Sequence, residues 1–247
     1  MKILIAILLL AVASFAFAAN EIDAKVKAAV AAESRPDSDR VRDDNRMPLE
    51  TLDFFGMKDN MRVLELLPGR GWYTRLLAPA LAGNGKLYVA IGTERIEEGV
   101  LREPGFDKVK VLKTTANQRR SEVRRMYLID EFEFGVDNLD LVLTFRNLHN
   151  FDKEARDEIN RNVFKSLRRG GLYGVVDHTR RHMEPPTFEN RRRIDPVVVI
   201  KEMLDVGFEF VDFTDLHYRP DDELEYEVGR RSVTGNTDRF TFLFRKP

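Results

Sequence analysis

A chain of 247 residues without a cysteine has neither a disulfide framework nor a lipoprotein attachment site, so its core alone must hold it together. Its 40 Lys and Arg nearly balance 41 Asp and Glu, and the formal net charge of −1 argues against a nucleic-acid binder drawn in by global charge. The length suits one domain large enough to hide most of its apolar surface.

Lys2 precedes an almost unbroken apolar run from Ile3 to Ala19 that closes on Ala16-Phe17-Ala18, the layout of a secretory signal peptide. The run falls short of the ~20 apolar residues that a relaxed membrane span needs. We expect residues 1–18 to be removed after Ala18, leaving a periplasmic or secreted bacterial protein with no stable membrane span after processing. Residues 19–47 follow as a helical arm, with an Ala/Val run at 24–32, and an extended lead-in, "ESRPDSDRVRDDNR", packed on the domain or partly mobile. Residues 48–247 form the main domain.

From Met61 the texture changes. Apolar runs of strand length ("MRVLELL", "KLYVAIG", "VKVL", "LDLVLTF", "GLYGVVDH") alternate with stretches of helical spacing, which reads as βαβ units on a mostly parallel sheet covered on both faces. Asp152 can cap a helix whose Ala155, Ile159, Val163 and Leu167 form one stripe, with Gly170-Gly171 ending it. Asp195-Pro196 opens another helix and Gly207 closes it. "FEFVDFTDL" and "DRFTFLFRKP" then read as strands with only a polar loop between them, so this pair can be antiparallel. The predicted fold is α/β: a Rossmann-like, doubly wound sheet of five parallel strands with a C-terminal antiparallel pair at one side.

In such sheets ligands bind at the carboxyl ends of the strands. The turn after "MRVLELL" is "PGRG", whose glycines let the main chain bend and approach a ligand closely, and Glu65 at the strand end can accept a hydrogen bond from a ligand amine or hydroxyl. An acidic strand end, Gly69 and Gly71 in the turn, Asp140 opening "LDLVLTF", and Gly170-Gly171 before the next strand resemble the class I S-adenosylmethionine-dependent methyltransferases. The stretches "SRPDSDRVRDDNRMPLETLDFFG", "PGRGWYT", "FRNLHNF", "VVDH" and "RIDP" look like a group of predicted bacterial methyltransferases that often carry export signals, over nearly the whole mature chain.

The resemblance implies S-adenosylmethionine as cofactor, with Glu65, Pro68, Gly69, Arg70 and Gly71 on its methionine side and Arg146 and Asn147 beside it. Some positions depart from the family. The pattern runs Glu65, Leu67, Gly69, Gly71, so its first glycine is missing, and "YVAIGTER" offers no acid before Glu94 where the family holds the ribose. No acid follows "VKVLKTT", where the family often contacts adenine.

Three of the four histidines (His149, His178, His182) follow the fourth and fifth core strands. Methyl transfer to a protonated acceptor needs a base, and His149 is the first candidate, with Asp177 or His178 second. Arg146, Arg180 and Arg181 suit an anionic small-molecule acceptor, and Tyr73, with Trp72, could stack on a ligand or belong to the core. His178 and His182 share helical i, i+4 spacing that a metal could use, but Pro185-Pro186 soon follows and no family signature is present, so no metal is expected. The function the resemblance implies is methyl transfer to a small molecule; the alternative is an exported binding or interaction domain that keeps the fold and has lost the cofactor.

Overall fold

A computed structural model describes residues 21–120, 122 and 126–247; the expected leader and its cleavage site lie outside them. Seven strands form one sheet: β1 (Arg62–Leu66), β2 (Lys86–Ala90), β3 (Lys110–Leu112), β6 (Leu139–Phe145), β7 (Leu167–His178), β8 (Glu209–Thr214) and β9 (Arg239–Arg245). Their order is β3-β2-β1-β6-β7-β9-β8, with the first five parallel and β9 antiparallel to both β7 and β8. The strand order reverses between β1 and β6, which opens a crevice at their carboxyl ends.

Alternation along the strands divides the core into two layers. Leu64, Leu66, Val142, Val175 and Phe242 pack on one face with Ala155, Ile159 and Val163 of α7 (Lys153–Ser166) and with Val199 and Met203 of α8 (Pro196–Val206). Val63, Leu141, Leu143, Val176 and Leu243 turn to the other face, under α1 (residues 21–31), α4 (Pro48–Phe54) and α5 (Thr74–Leu81). Between α7 and α8, Arg156 forms a buried two-pronged pair with Glu202 at 2.8 and 2.6 Å.

The helix caps agree with the sequence. Asp152 accepts from Ala155 N, Asp195 from Val197 N, and Gly207 closes α8 with φ 111°. Three expectations change. Helix α7 ends at Ser166 rather than at Gly170-Gly171, which lie inside β7, where a Cβ on Gly171 would meet the carbonyl oxygens of Arg168 and Leu139 at 2.9 and 3.0 Å. The lead-in is not extended but folds into α2 (Asp37–Arg40) and α3 (Asp43–Arg46), tied to α1 by Arg35, which pairs with Asp43 and reaches the Val30 carbonyl. A separate antiparallel pair, β4 (Gln118–Arg120) with β5 (Tyr127–Ile129), adds to the expected strands.

Asp140 sits at the amino end of β6, where it accepts from Arg62 N at 2.8 Å and Arg168 Nε at 2.7 Å, and so holds three strands in register away from the crevice.

Candidate active site

The residues that follow β1, β2 and β6 at their carboxyl ends have left-handed backbones: Leu67 (φ 51°), Ile91 (φ 63°) and Arg146 (φ 64°). Non-glycine residues hold that conformation only where surrounding structure imposes it, and such positions cluster at functional sites. Leu67 thus adopts a backbone that glycine favours, while its side chain lies across the next turn, with Cδ2 3.9 Å from where a Cβ on Gly92 would stand. Arg146 is fixed by its own N–H, which donates to Val176 O at 2.7 Å.

A cleft of about 340 Å³ opens at the carboxyl ends of β1 and β6. Glu65, Pro68, Gly69, Arg70, Arg146 and Asn147 all line it, so six of the seven expected cofactor residues come together. Gly69 (φ 62°) has nothing within 4 Å of a Cβ position, so its bare backbone faces open space. Gly71 serves packing instead. A Cβ there would meet Ile96 and Val100 at 3.1 and 3.2 Å, so the glycine allows the turn to lie against α6 (Glu94–Glu98) and the short 3-10 turn Val100–Arg102. Asn147 spans the crevice, with Nδ2 3.3 Å from Leu66 O and 3.4 Å from Leu67 O.

Glu65 lies between Leu64 and Leu66, points to the α5 face and is fully buried, accepting from Thr74 Oγ1 at 2.6 Å. Burial pushes its carboxyl up to about 7, against the opposing pull of the Thr74 hydrogen bond and the Arg46 charge. Tyr73 stacks on Phe145 with centroids 3.5 Å apart and lines the cleft beside Trp72, whose indole N–H donates to Asp39 O at 3.0 Å. Both rings are therefore core aromatics and cleft wall at once. Arg42 and Arg46, from the folded lead-in, complete the lining on this side. Arg46 lies 4.3 Å above the Trp72 ring; burial, then the neighbouring Arg146 charge, pushes it down to about 8.

His149 sits in the 3-10 turn Leu148–Asn150 that follows β6. Asp177, at the end of β7 and wholly buried, takes three hydrogen bonds: from His149 Nδ1 at 2.5 Å, from His149 N at 3.1 Å and from His178 N at 2.7 Å. With Nδ1 engaged, Nε2 is the nitrogen left to act, and it has no hydrogen-bond partner among the described residues. The ring lines a second cavity of about 330 Å³ with Tyr127, Asn150, Thr187, Arg191, Arg192 and others. His178 contacts Thr237 Oγ1 at 3.0 Å, and burial, then His149, holds its imidazole well below the usual range, which makes it a structural neighbour of the pair.

Arg180 and Arg181 line neither recess. Arg180 donates to Arg193 O at 3.3 Å and Arg181 to Glu223 O at 3.0 Å. Arg191 and Arg192 stand at the His149 cavity instead, both paired with Glu227. His182 contacts Asp195 at 2.9 Å, on a stretch that is not helical and apart from His178. Among the described residues no group of three or more His, Asp or Glu is placed to hold a metal ion.

No protein-family model and no curated protein matches the sequence. Among solved structures the chain is similar to a SAM-dependent methyltransferase from Aquifex aeolicus, 17% identical, with a TM-score of 0.57 over 83% of this chain and 93% of that one. It is also similar to the cyclase SpnF, 17% identical, with a TM-score of 0.55 over 82% of this chain and 80% of the other. The glycopeptide N-methyltransferase MtfA, also solved with sinefungin, is 15% identical, with a TM-score of 0.52 over 84% of this chain and 98% of its own. At such identities the likeness establishes the fold, which is that of the class I methyltransferases.

Proposed function

We propose that this protein is an S-adenosylmethionine-dependent methyltransferase for a small-molecule acceptor, one of the exported bacterial group that its motifs resemble. The observation that carries the reading is the convergence of Glu65, Gly69, Arg146 and Asn147 on one cleft at the strand-order reversal. The cofactor fits this donor set at its methionine end: Glu65 offers a buried carboxyl to an ammonium, and Gly69 leaves room for the main chain to be approached. The nucleoside end is less well served. Thr93 donates to Glu97 at 2.6 Å and Glu97 pairs with Lys113, so neither is free for ribose hydroxyls. That pairing is the one observation favouring the alternative, a binding domain that keeps the fold.

When bound, the cofactor supplies an electrophilic methyl carbon on sulfonium sulfur. The chain's own residues position and deprotonate. His149 Nε2 takes the acceptor's proton, and Asp177 fixes the ring through Nδ1 and stabilises the imidazolium that results. Tyr73 and Trp72 form a rigid aromatic floor. We also propose that the leader is removed and that the protein works outside the cytoplasm.

Calorimetric titration of the purified mature protein with S-adenosylmethionine and S-adenosylhomocysteine is the test. Heat of binding is expected for both. Its absence at millimolar ligand would leave the binding domain standing and remove the enzyme.

A further inference from the structure

We propose that the cleft contains a binding site for a compact, multiply charged oxyanion, formed by Arg42, Arg46 and Arg146. The anion site stands apart from the methyltransferase reading, whose base His149 lines the other cavity.

Five arginines line the cleft (Arg42, Arg46, Arg70, Arg95 and Arg146) against two acids, Asp39 and Glu65. Both acids are engaged, Asp39 with Arg75 at 3.5 Å and Glu65 with Thr74. The arginine side chains are not. Arg42, Arg46 and Arg146 make no side-chain hydrogen bond or ion pair among the described residues. Arg46 is the telling case, because it is only 4% exposed, its Nε has no hydrogen-bond partner among the described residues, and its guanidinium lies over the faces of Trp72 and Tyr73 at 4.3 and 5.6 Å, with the buried Glu65 carboxyl the acid that feels its charge.

Burying an unpaired charge costs several kcal/mol after relaxation, and a cation–π contact returns roughly 0.5–2 kcal/mol of it. Something must offset the rest. Burial and mutual repulsion push Arg46 down to about 8 and Arg146 to about 10, and Arg239, 3% exposed and also near, down to about 10. At neutral pH guanidinium groups stay charged, so these are charges that an incoming anion relieves.

The cofactor cannot do this. At neutral pH it brings one carboxylate but also an ammonium and a sulfonium, which leave the cleft more positive than before. A group with two or more negative charges, presented to planar guanidinium forks, balances the set.

Thermal unfolding of the mature protein in sodium phosphate, in sodium malonate and in sodium chloride of matched ionic strength tests the site, with Arg46→Met and Arg146→Met beside wild type. We expect phosphate or malonate to raise the wild-type midpoint by roughly 5 °C over chloride. Which of the two acts distinguishes a phosphate group from paired carboxylates. Both variants should lose that increment, and Arg46→Met should melt higher than wild type in chloride because an unpaired buried charge is gone. No increment over chloride, or an increment kept in both variants as a general salting effect, overturns the proposal. Parallel titration with S-adenosylmethionine separates the two readings: heat without an anion increment sinks only the anion site, and an increment without heat sinks only the methyltransferase.

Discussion

Asp177 grips His149 twice, through the ring Nδ1 at 2.5 Å and the main-chain N at 3.1 Å, so β7 sets both the position and the tautomer of a residue in the turn that follows β6. Once an acceptor is found, His149→Ala should lower turnover at least ~100-fold, as loss of a general base does. Binding of S-adenosylmethionine should change little, because His149 does not line the cleft. If the variant melts several degrees lower and activity per folded molecule is unchanged, the pair is structural.

Gly69→Val places a branched side chain on a left-handed backbone at the cleft wall, at a conformational cost of ~1–2 kcal/mol, and Glu65→Ala removes the only buried carboxyl of the lining. Wild type should bind S-adenosylmethionine with Kd between roughly tens of micromolar and a millimolar, since each missing neutral hydrogen bond costs ~0.5–1.5 kcal/mol. Both variants should stay folded and lose the heat of binding; retention of wild-type affinity by both would show that the ligand sits elsewhere.

Glu65 gives the pH dependence a definite sign. Burial raises its folded pKa from 4.5 to about 7, so between these values the native state holds the proton that the unfolded chain has released. Its contribution to stability is present in full below about 4.5 and falls away as pH rises through about 7. Affinity for an ammonium-bearing ligand should move the opposite way, strengthening through about pH 7 as the carboxyl ionises. Glu65→Gln should flatten both profiles, measured as ΔG of urea unfolding and calorimetric Kd from about pH 5 to 8. Unchanged profiles in the variant would assign them to another group.

Gly174, in the middle of β7, faces the ring of Phe55: a Cβ there would lie 2.8 Å from Phe55 and 2.9 Å from Leu143. Phe55 is completely buried and has little room to retreat. Gly174→Ala should therefore destabilise by ~1–3 kcal/mol with the denaturant slope unchanged. Equal stability would mean that the ring can shift.

The strands, the start of α7 and both ends of α8 were legible because each rests on local chemistry: apolar runs of strand length, Asp152, the Asp195-Pro196 start and the Gly207 stop; the stop of α7 was not, since Gly170-Gly171 lie inside β7. The β4–β5 pair was not, since Gln118, Arg119 and Arg120 carry no alternation and their pairing is a contact at a distance. Gly71 looks like Gly69 in sequence, and only the proximity of Ile96 and Val100 separates a packing glycine from a lining one. Arg42 and Arg46 were hidden for a different reason. In "DRVRDDNR" nothing distinguishes a solvated arginine from one that lies under a tryptophan; that needs Trp72, carried by "PGRGWYT", brought alongside by the fold. Arg180 and Arg181 failed in the opposite direction, standing after the right strand but turned toward main-chain carbonyls of neighbouring loops.

Strand β9 comes last in the chain yet lies between β7 and β8. During synthesis, therefore, β7 waits with an open edge and β8 has no partner in the sheet until residues 239–245 emerge. A nascent or truncated chain that stops short of Arg239 exposes two templates for adventitious strand pairing, and the exposed Phe213 on β8 makes one of them adhesive. Loss of residues 239–247 should thus yield inclusion bodies and rapid proteolysis rather than a trimmed domain.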